Sequence, residues 1–264
     1  MKTLITSLCV IICISFISIS HFHWNNKTAP SSFVSAKDSI ETESKAEIKN
    51  NKKTNISENL LEKTKNWPKN AQISFQESIE NNNIYKIAIV GSPAMGGKHG
   101  WATNLKEELI QTYGESILQV QTFEYNKTSK GFIEEDHTEK IVNYDPDLIL
   151  FEPFPLMDNG KVLVKDNHKN IEAFIEKLHK ANKKVEIILQ PAHPIYNATV
   201  YPTQIQDLKT FADENNITYL DHWSIWPDPN SEEIKDYLAE DQSEPSTKGH
   251  ELWFNYLYQY FKAD

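Results

Sequence analysis

The residue with the clearest chemical potential is Ser92, which lies in Val90-Gly-Ser-Pro-Ala-Met-Gly96 at the end of an apolar run. A nucleophilic serine needs an exposed turn at a strand end, where backbone N–H groups are free to hold an oxyanion. Gly91 and Gly96 permit such a turn. Serine is also a preferred N-cap residue, so Ser92 can equally cap the helix that follows. This segment alone leaves both roles open.

A phosphate-binding loop is a third interpretation of the same segment. Ser92-Pro-Ala-Met-Gly-Gly-Lys-His99 lies close to the G-x-x-x-x-G-K-[ST] pattern, but it lacks the first glycine and ends in histidine where a metal-binding hydroxyl belongs. The histidines of the chain also show no metal-ligand spacing such as H-E-x-x-H, which argues against a zinc hydrolase. We therefore expect no metal ion and no other cofactor.

Apolar runs of strand length alternate with segments of helical periodicity along the chain. The runs are Tyr85–Val90, Ile117–Phe123, Asp147–Phe151, Val185–Leu189 and Ile217–Leu220. The helical segments are Trp101–Tyr113, Gly131–Asn143, Asn167–Ala181, Thr203–Asn215 and Lys248–Phe261. This alternation predicts an α/β fold with three layers, α/β/α, in which helices cover both faces of a five-stranded parallel sheet.

Several loops directly follow the predicted strands. They are the turn at Ser92 and the loops Glu152–Asn159, Pro191–Asn197 and Asp221–Asp228. In parallel sheets of this kind, binding sites form beyond the carboxyl ends of the strands. We therefore expect these loops to open together on one rim of the sheet.

The N-terminal part of the chain indicates export. Met1-Lys-Thr precedes an apolar run from Leu4 to Ser20, which fits a signal peptide or an N-terminal membrane anchor within residues 1–24. We expect a protein that is extracellular, either secreted or anchored to the outer face of the cytoplasmic membrane. Both cysteines, Cys9 and Cys13, lie in this run, so the chain beyond it contains no thiol for a disulfide or a metal site.

The rest of the chain divides by composition. Residues 25–66 are mostly Lys, Asn, Glu, Ser and Thr, which predicts a disordered linker. Residues 67–264 are enough for one domain with a full core. The net charge is −10 at pH 7 and there is no arginine, so bidentate guanidinium contacts to phosphate or guanine are absent. We therefore expect no nucleic acid partner.

These segments together resemble the SGNH/GDSL hydrolase family. Ser92 and Gly96 match the serine and the final glycine of its Gly-Asp-Ser-Leu-x-x-Gly block, although Val90 and Gly91 replace the first two residues. Later segments look like the strand before the family's Gly-x-Asn-Asp block and like its last loop and helix, namely Asp145–Glu152, Asp221–Asp228 and Lys248–Trp253. The resemblance implies a flavodoxin-like SGNH-hydrolase fold and a serine ester hydrolase, with Ser92 as nucleophile and the backbone of Gly91 in the oxyanion hole.

The chain departs from the family pattern where catalysis needs it most. Aligning Asp241-Gln-Ser-Glu244 on the family's Asp-x-x-His places Glu244 at the position of the base histidine. The family's oxyanion asparagine falls on Met157, which leaves Asn159 as the candidate donor. A glutamate in water is about two pKa units less basic than imidazole. The resemblance thus implies a weakened site, in which Asp241 orients a base that is either Glu244 or His193.

Aromatic residues are frequent in the segments expected at the rim: Trp101, Tyr196, Tyr201, Trp223 and Trp226. Aromatic faces beside polar side chains suit sugar rings, although Trp and Tyr also fit a core. We therefore expect an exported domain that acts on acyl esters of a cell-surface polysaccharide or similar glycoconjugate, by hydrolysis or acyl transfer. The alternative is an inactive family member that binds cell-wall glycan or a partner protein.

Overall fold

The computed structural model of the protein describes residues 57–263. The expected signal peptide or membrane anchor, residues 1–24, and the expected linker as far as residue 56 lie outside the described residues. Between residues 57 and 263, no helix is both long enough and apolar enough to span a membrane.

Five parallel strands form the central sheet, in the order β2-β1-β3-β4-β5. The strands are β1 (Tyr85–Gly91), β2 (Leu118–Glu124), β3 (Leu148–Phe151), β4 (Glu186–Leu189) and β5 (Thr218–Tyr219). Each observed strand agrees with its predicted apolar run to within one residue at either end. The predicted five-stranded parallel sheet is therefore confirmed.

The helices, in chain order, are α1 (Lys69–Asn81), α2 (Trp101–Tyr113), α3 (Ser129–Glu134), α4 (Thr138–Tyr144), α5 (Pro155–Asp158), α6 (Val164–Ala181), α7 (Tyr201–Glu214) and α8 (Thr247–Phe261). Helices α1, α2 and α8 pack on one face of the sheet, and α3, α4, α6 and α7 pack on the other. The predicted three-layer α/β/α architecture is confirmed.

Residues of β1 alternate between the two faces, and both faces are covered. Ile87 and Ile89 belong to the core under α1, α2 and α8. Ala88 and Val90 belong to the core on the opposite face. All four side chains are fully buried. In a strand that is buried on both faces, polar and apolar residues do not alternate, so its sequence is a continuous apolar run.

The structure corrects two of the expected boundaries. The single helix predicted over Gly131–Asn143 is two helices, α3 and α4, because Asp136 between them has a left-handed backbone with φ of 53°. The packed domain also begins before Trp67: residues 57–62 are helical, and Leu60 is buried in the core. The Trp67 indole N–H donates to the Phe261 carbonyl at 2.9 Å, which ties this start to the end of α8.

Helix α1 was not predicted, yet it supplies a central aromatic contact. Phe75 is fully buried. Its ring centroid lies 5.3 Å from that of Trp67, 5.2 Å from that of Tyr85 and 5.5 Å from that of Tyr113. Aromatic pairs at these separations stabilise a fold beyond the area that they bury. Helix α1 is therefore part of the fold and not an addition to it.

We expect Phe75→Ala to lower the free energy of unfolding by about 3–5 kcal/mol, because it leaves a cavity among three aromatic rings. Ile73→Ala is the matched control in the same helix. Ile73 is 46% exposed, so its truncation should change the free energy by less than about 0.5 kcal/mol. Denaturant unfolding of both variants measures the difference. Equal effects would show that α1 does not contribute to the core in this way.

Candidate active site

The crevice at the carboxyl edge of the sheet lies between β1 and β3. After β1 the chain crosses to β2 on one side, whereas β3 and the later strands lie on the other. Loops that leave two adjacent strands in opposite directions open a binding crevice at this switch point. Val90 pairs with Phe151 in register. Ser92 and Glu152, which follow these strands, therefore lie next to each other at the crevice.

Ser92 occupies the N-cap of a short 3-10 turn, Pro93–Met95, and its Oγ accepts a hydrogen bond from the Ala94 N–H at 3.3 Å. Gly96 ends the turn with φ of 80°, a conformation that favours glycine. A Cβ added at Gly96 would lie 2.4 Å from Cε1 of His250. The capping role that the sequence left open is observed. Ser92 is only 1% exposed, so its hydroxyl is enclosed.

The carboxylate of Glu152 is hydrogen-bonded to the backbone of Ser92. The Ser92 N–H donates to Glu152 Oε2 at 2.7 Å. Glu152 is fully buried, and its Oε1 has no hydrogen-bond partner. A Cβ added at Gly91 would lie 3.0 Å from Oε2. Gly91 therefore leaves the space that this carboxylate fills, and its role as an oxyanion donor stays a prediction.

Burial raises the pKa of Glu152 to about 7. Interactions with the Ser92 hydroxyl and with the N–H groups of Ser92 and Phe154 act in the opposite direction, and the charge of Asp158 raises the pKa further. Desolvation disfavours the charged form of a carboxyl group, so it dominates here. At neutral pH, Glu152 is thus poised between its two protonation states. Glu152 was not among the site residues predicted from the sequence.

The expected Asp241–Glu244 pair lies on an exposed loop. The Asp241 carboxylate accepts hydrogen bonds from the Ser243 N–H at 3.0 Å and the Ser243 hydroxyl at 2.7 Å, which hold the pKa of Asp241 below its usual value. The charge of Glu244 acts on Glu124, whose pKa is raised mainly by burial and then by Glu244. Within residues 57–263, no hydrogen bond joins either acid to Ser92. The structure does not bring these acids together with the serine.

This loop packs against the loop after β4 through Gln242. The Gln242 carbonyl accepts from His193 Nε2 at 3.1 Å, and the Gln242 side chain accepts from the Tyr196 N–H at 2.7 Å. His193 is fully buried, and its Nδ1 has no partner. Burial lowers the pKa of His193 to about 4, and His250 lowers it further. His193 is therefore neutral at pH 7 and holds this loop in place.

The candidate oxyanion residue Asn159 is exposed and makes no hydrogen bond to Ser92 within the described residues. The acid before it, Asp158, is buried instead. Asp158 accepts from the Ser129 N–H at 2.8 Å and from the Asn167 amide at 2.8 Å, and so connects α3 with α6. This segment thus serves packing in the structure, and the oxyanion role of Asn159 stays a prediction.

Comparison with known proteins gives independent evidence on the fold. No family model and no curated protein matches the chain. Solved structures do match. A GDSL-like lipase from Bacteroides thetaiotaomicron superposes with a TM-score of 0.51 at 16% identity, over 73% of this chain and 98% of that one. An acetyl esterase variant with an acetate ion superposes with a TM-score of 0.54 at 11% identity, over 66% of this chain and 95% of that one.

A psychrotrophic esterase from Pseudoalteromonas sp., inhibited by monoethylphosphonate, gives a TM-score of 0.51 at 19% identity, over 66% of this chain and 94% of that one. The domain has the fold of the GDSL/SGNH lipases and esterases. This confirms the fold that the sequence resemblance implied. Identities this low establish the SGNH fold alone, so the chemistry of the site follows from its own residues.

Three of the five aromatic residues expected to line a sugar groove on the SGNH fold are in its core. Trp101 is fully buried, Tyr201 is 1% exposed and Trp226 is 8% exposed. The Trp101 ring stacks on that of Trp253 at 4.5 Å. The expectation was wrong for these three residues because their rings already pack against other side chains. Tyr196 and Trp223 are partly exposed and stay candidates.

His222 fixes the loop after β5 through both ring nitrogens. Nε2 donates to the Pro191 carbonyl at 2.9 Å, and Nδ1 accepts from the Trp226 indole at 3.0 Å. The ring also stacks on Trp253 at 4.1 Å. Burial lowers the pKa of His222 to about 3. With both nitrogens engaged, His222 is a structural residue.

Among the described residues, buried polar atoms without a hydrogen-bond partner near the carboxyl ends of the strands include Glu152 Oε1, Gln190 Nε2, His193 Nδ1 and the Tyr201 hydroxyl. Such atoms are rare in folded proteins and call for an explanation, such as a bound water or a functional role. Burial raises the pKa of Tyr201, and the charge of Glu152 raises it further, so these two groups are close. Within residues 57–263, no cluster of three potential ligands could hold a metal ion.

We expect acid to destabilise the domain through its buried histidines. The folded pKa of His222, about 3, lies below the unfolded value of about 6.5, so between these values only the unfolded chain binds the proton. In the parent, this proton uptake should lower the free energy of unfolding by about 1.4 kcal/mol for each pH unit of acidification across that window. His222→Gln should remove this contribution to the slope. Denaturant unfolding between pH 6.5 and 4 measures this.

Trp226→Phe is the control for this experiment. It removes the indole N–H that donates to His222 Nδ1, but it leaves the titrating imidazole of His222 buried. We expect a lower stability with the pH slope of the parent protein. If His222→Gln kept the parent slope, the proposed neutral state of His222 would be wrong.

Proposed function

We propose that the domain is a serine ester hydrolase or acyl transferase, with Ser92 as its nucleophile. The observation that carries this proposal is the position of Ser92, directly after β1 and at the switch point of an SGNH fold. Serine at a strand-end turn is the arrangement that nucleophilic catalysis requires. The structural relatives named above include lipases and esterases. An acyl-enzyme on Ser92 would pass its acyl group to water or to a sugar hydroxyl.

The proposed substrate is an acyl ester on a cell-surface polysaccharide or a similar glycoconjugate. The expected export of the chain supports this location, and the partly exposed Tyr196 and Trp223 offer aromatic faces for sugar rings. The enclosure of Ser92, at 1% exposure, favours a small acyl group. Acetyl fits this requirement, and one of the structural relatives is an acetyl esterase.

A second candidate function is binding without turnover. It is favoured by the hydrogen bond from the Ser92 N–H to Glu152, because that N–H is then not free to hold an oxyanion. In this case the domain would bind glycan or a partner protein and leave the ester intact. The two candidates differ in whether Ser92 can be acylated.

The full-length protein should hydrolyse p-nitrophenyl acetate and release acetate from an acetylated polysaccharide. Ser92→Ala should lower kcat/KM at least about 1,000-fold, since removing the nucleophile abolishes the acyl-enzyme. Ser224→Ala is the control, because Ser224 is an exposed serine in the loop after β5. A fluorophosphonate should add to Ser92 alone, as detected by mass spectrometry. A parent protein with neither turnover nor adduct would overturn this proposal and leave the binding function.

A further inference from the structure

We infer that Glu152 is the general base that takes the proton of Ser92, in place of the histidine that this chain lacks at Glu244. The inference rests on the function proposed above and names a catalytic residue for it. Its basis is geometric. Glu152 is anchored to the Ser92 backbone through Oε2 at 2.7 Å, which places the carboxyl group beside the serine, and its Oε1 is buried without a partner.

Three histidines near the carboxyl edge make contacts elsewhere, although His193 keeps Nδ1 without a partner. His222 uses both ring nitrogens, on Pro191 and Trp226. His193 Nε2 binds the Gln242 carbonyl, and His250 Nδ1 accepts from the Trp101 N–H at 3.4 Å. Within the described residues, none of these rings is hydrogen-bonded to Ser92. The Glu152 carboxylate, by contrast, is hydrogen-bonded to Ser92 through the backbone N–H.

The basicity of Glu152 suits this task. A general base works best when its pKa lies near the operating pH. Burial raises the pKa of Glu152 to about 7, which is close to that of imidazole. Two titratable groups face it: Asp158, whose charge raises this pKa, and Tyr201, whose own pKa is raised well above its usual value by burial, so that it stays a neutral phenol.

The proposed step conserves atoms and charge. As Ser92 Oγ bonds to the ester carbonyl carbon, its proton passes to the Glu152 carboxylate, and the carbonyl π electrons move to the oxygen. When the tetrahedral intermediate collapses, the ester C–O bond breaks and Glu152 returns the proton to the leaving alkoxide. A water or a sugar hydroxyl then repeats the sequence on the acyl-enzyme. Glu152 is neutral while the oxyanion exists, so two negative charges never coexist there.

Glu152→Gln tests the inference. The amide fills the same space, and its oxygen still accepts from the Ser92 N–H, but it cannot take a proton. We expect kcat to fall about 100-fold or more, the usual loss for a general base. In the parent, kcat/KM should rise with pH to a plateau with a midpoint near 7, and this limb should be absent in Glu152→Gln. Glu172→Gln, at an exposed residue of α6, should match the parent.

A second measurement guards against a folding defect. Glu152→Asp keeps the carboxyl group, so it should retain more activity than Glu152→Gln. Its kcat/KM should also still rise with pH. The rate of fluorophosphonate addition to Ser92 in the parent should show the same rise with pH as kcat/KM. If a folded Glu152→Gln matched the parent in rate and pH profile, the inference would fail while Ser92-dependent esterase function stood. A parent without Ser92-dependent turnover would instead remove the proposed function itself.

Discussion

The site depends on one hydrogen bond, between the Ser92 N–H and the carboxyl group of Glu152. The sheet order makes this bond available, because β1 and β3 are neighbours whose following loops separate. Gly91 supplies the space, since a side chain there would meet the carboxylate. The cost is a buried acid with one unpartnered oxygen. A carboxyl group in that position becomes neutral more readily than it would in water, so its proton affinity is a product of the fold.

A layer of stacked rings holds the surroundings of this bond in place. Trp253 of α8 stacks on Trp101 of α2 at 4.5 Å and on His222 after β5 at 4.1 Å. Its indole N–H donates to Gln190, directly after β4, at 3.0 Å. One tryptophan thereby joins two helices and two strand ends. Rigid support of this kind positions a functional group more accurately than the loops alone would.

The sequence predicted the sheet almost completely, because strands buried on both faces consist of continuous apolar runs. Helix α1 was missed because only Ala71 and Phe75 of its residues are buried, too few for a clear amphipathic pattern. Ser92 was proposed as a site residue from its position at a strand end. Glu152 was not, since nothing in a sequence shows that an acid after an apolar strand is buried. The same ambiguity between burial and exposure misplaced Trp101 in a sugar groove.

On the inferred mechanism, the glutamate at position 244, where the family resemblance would place a histidine, and the presence of Glu152 are parts of one arrangement. A histidine base leaves the nucleophile's N–H free for the oxyanion, whereas a base bound to that N–H must release it during the reaction. Transfer of the Ser92 proton does this, because a neutral carboxylic acid attracts the N–H less than a carboxylate does. Transfer of this proton thus accompanies formation of the oxyanion and weakens the hydrogen bond that competes for the oxyanion's donor. Such coupling requires a short, dry path between Ser92 and Glu152, and this is consistent with the enclosure of both side chains.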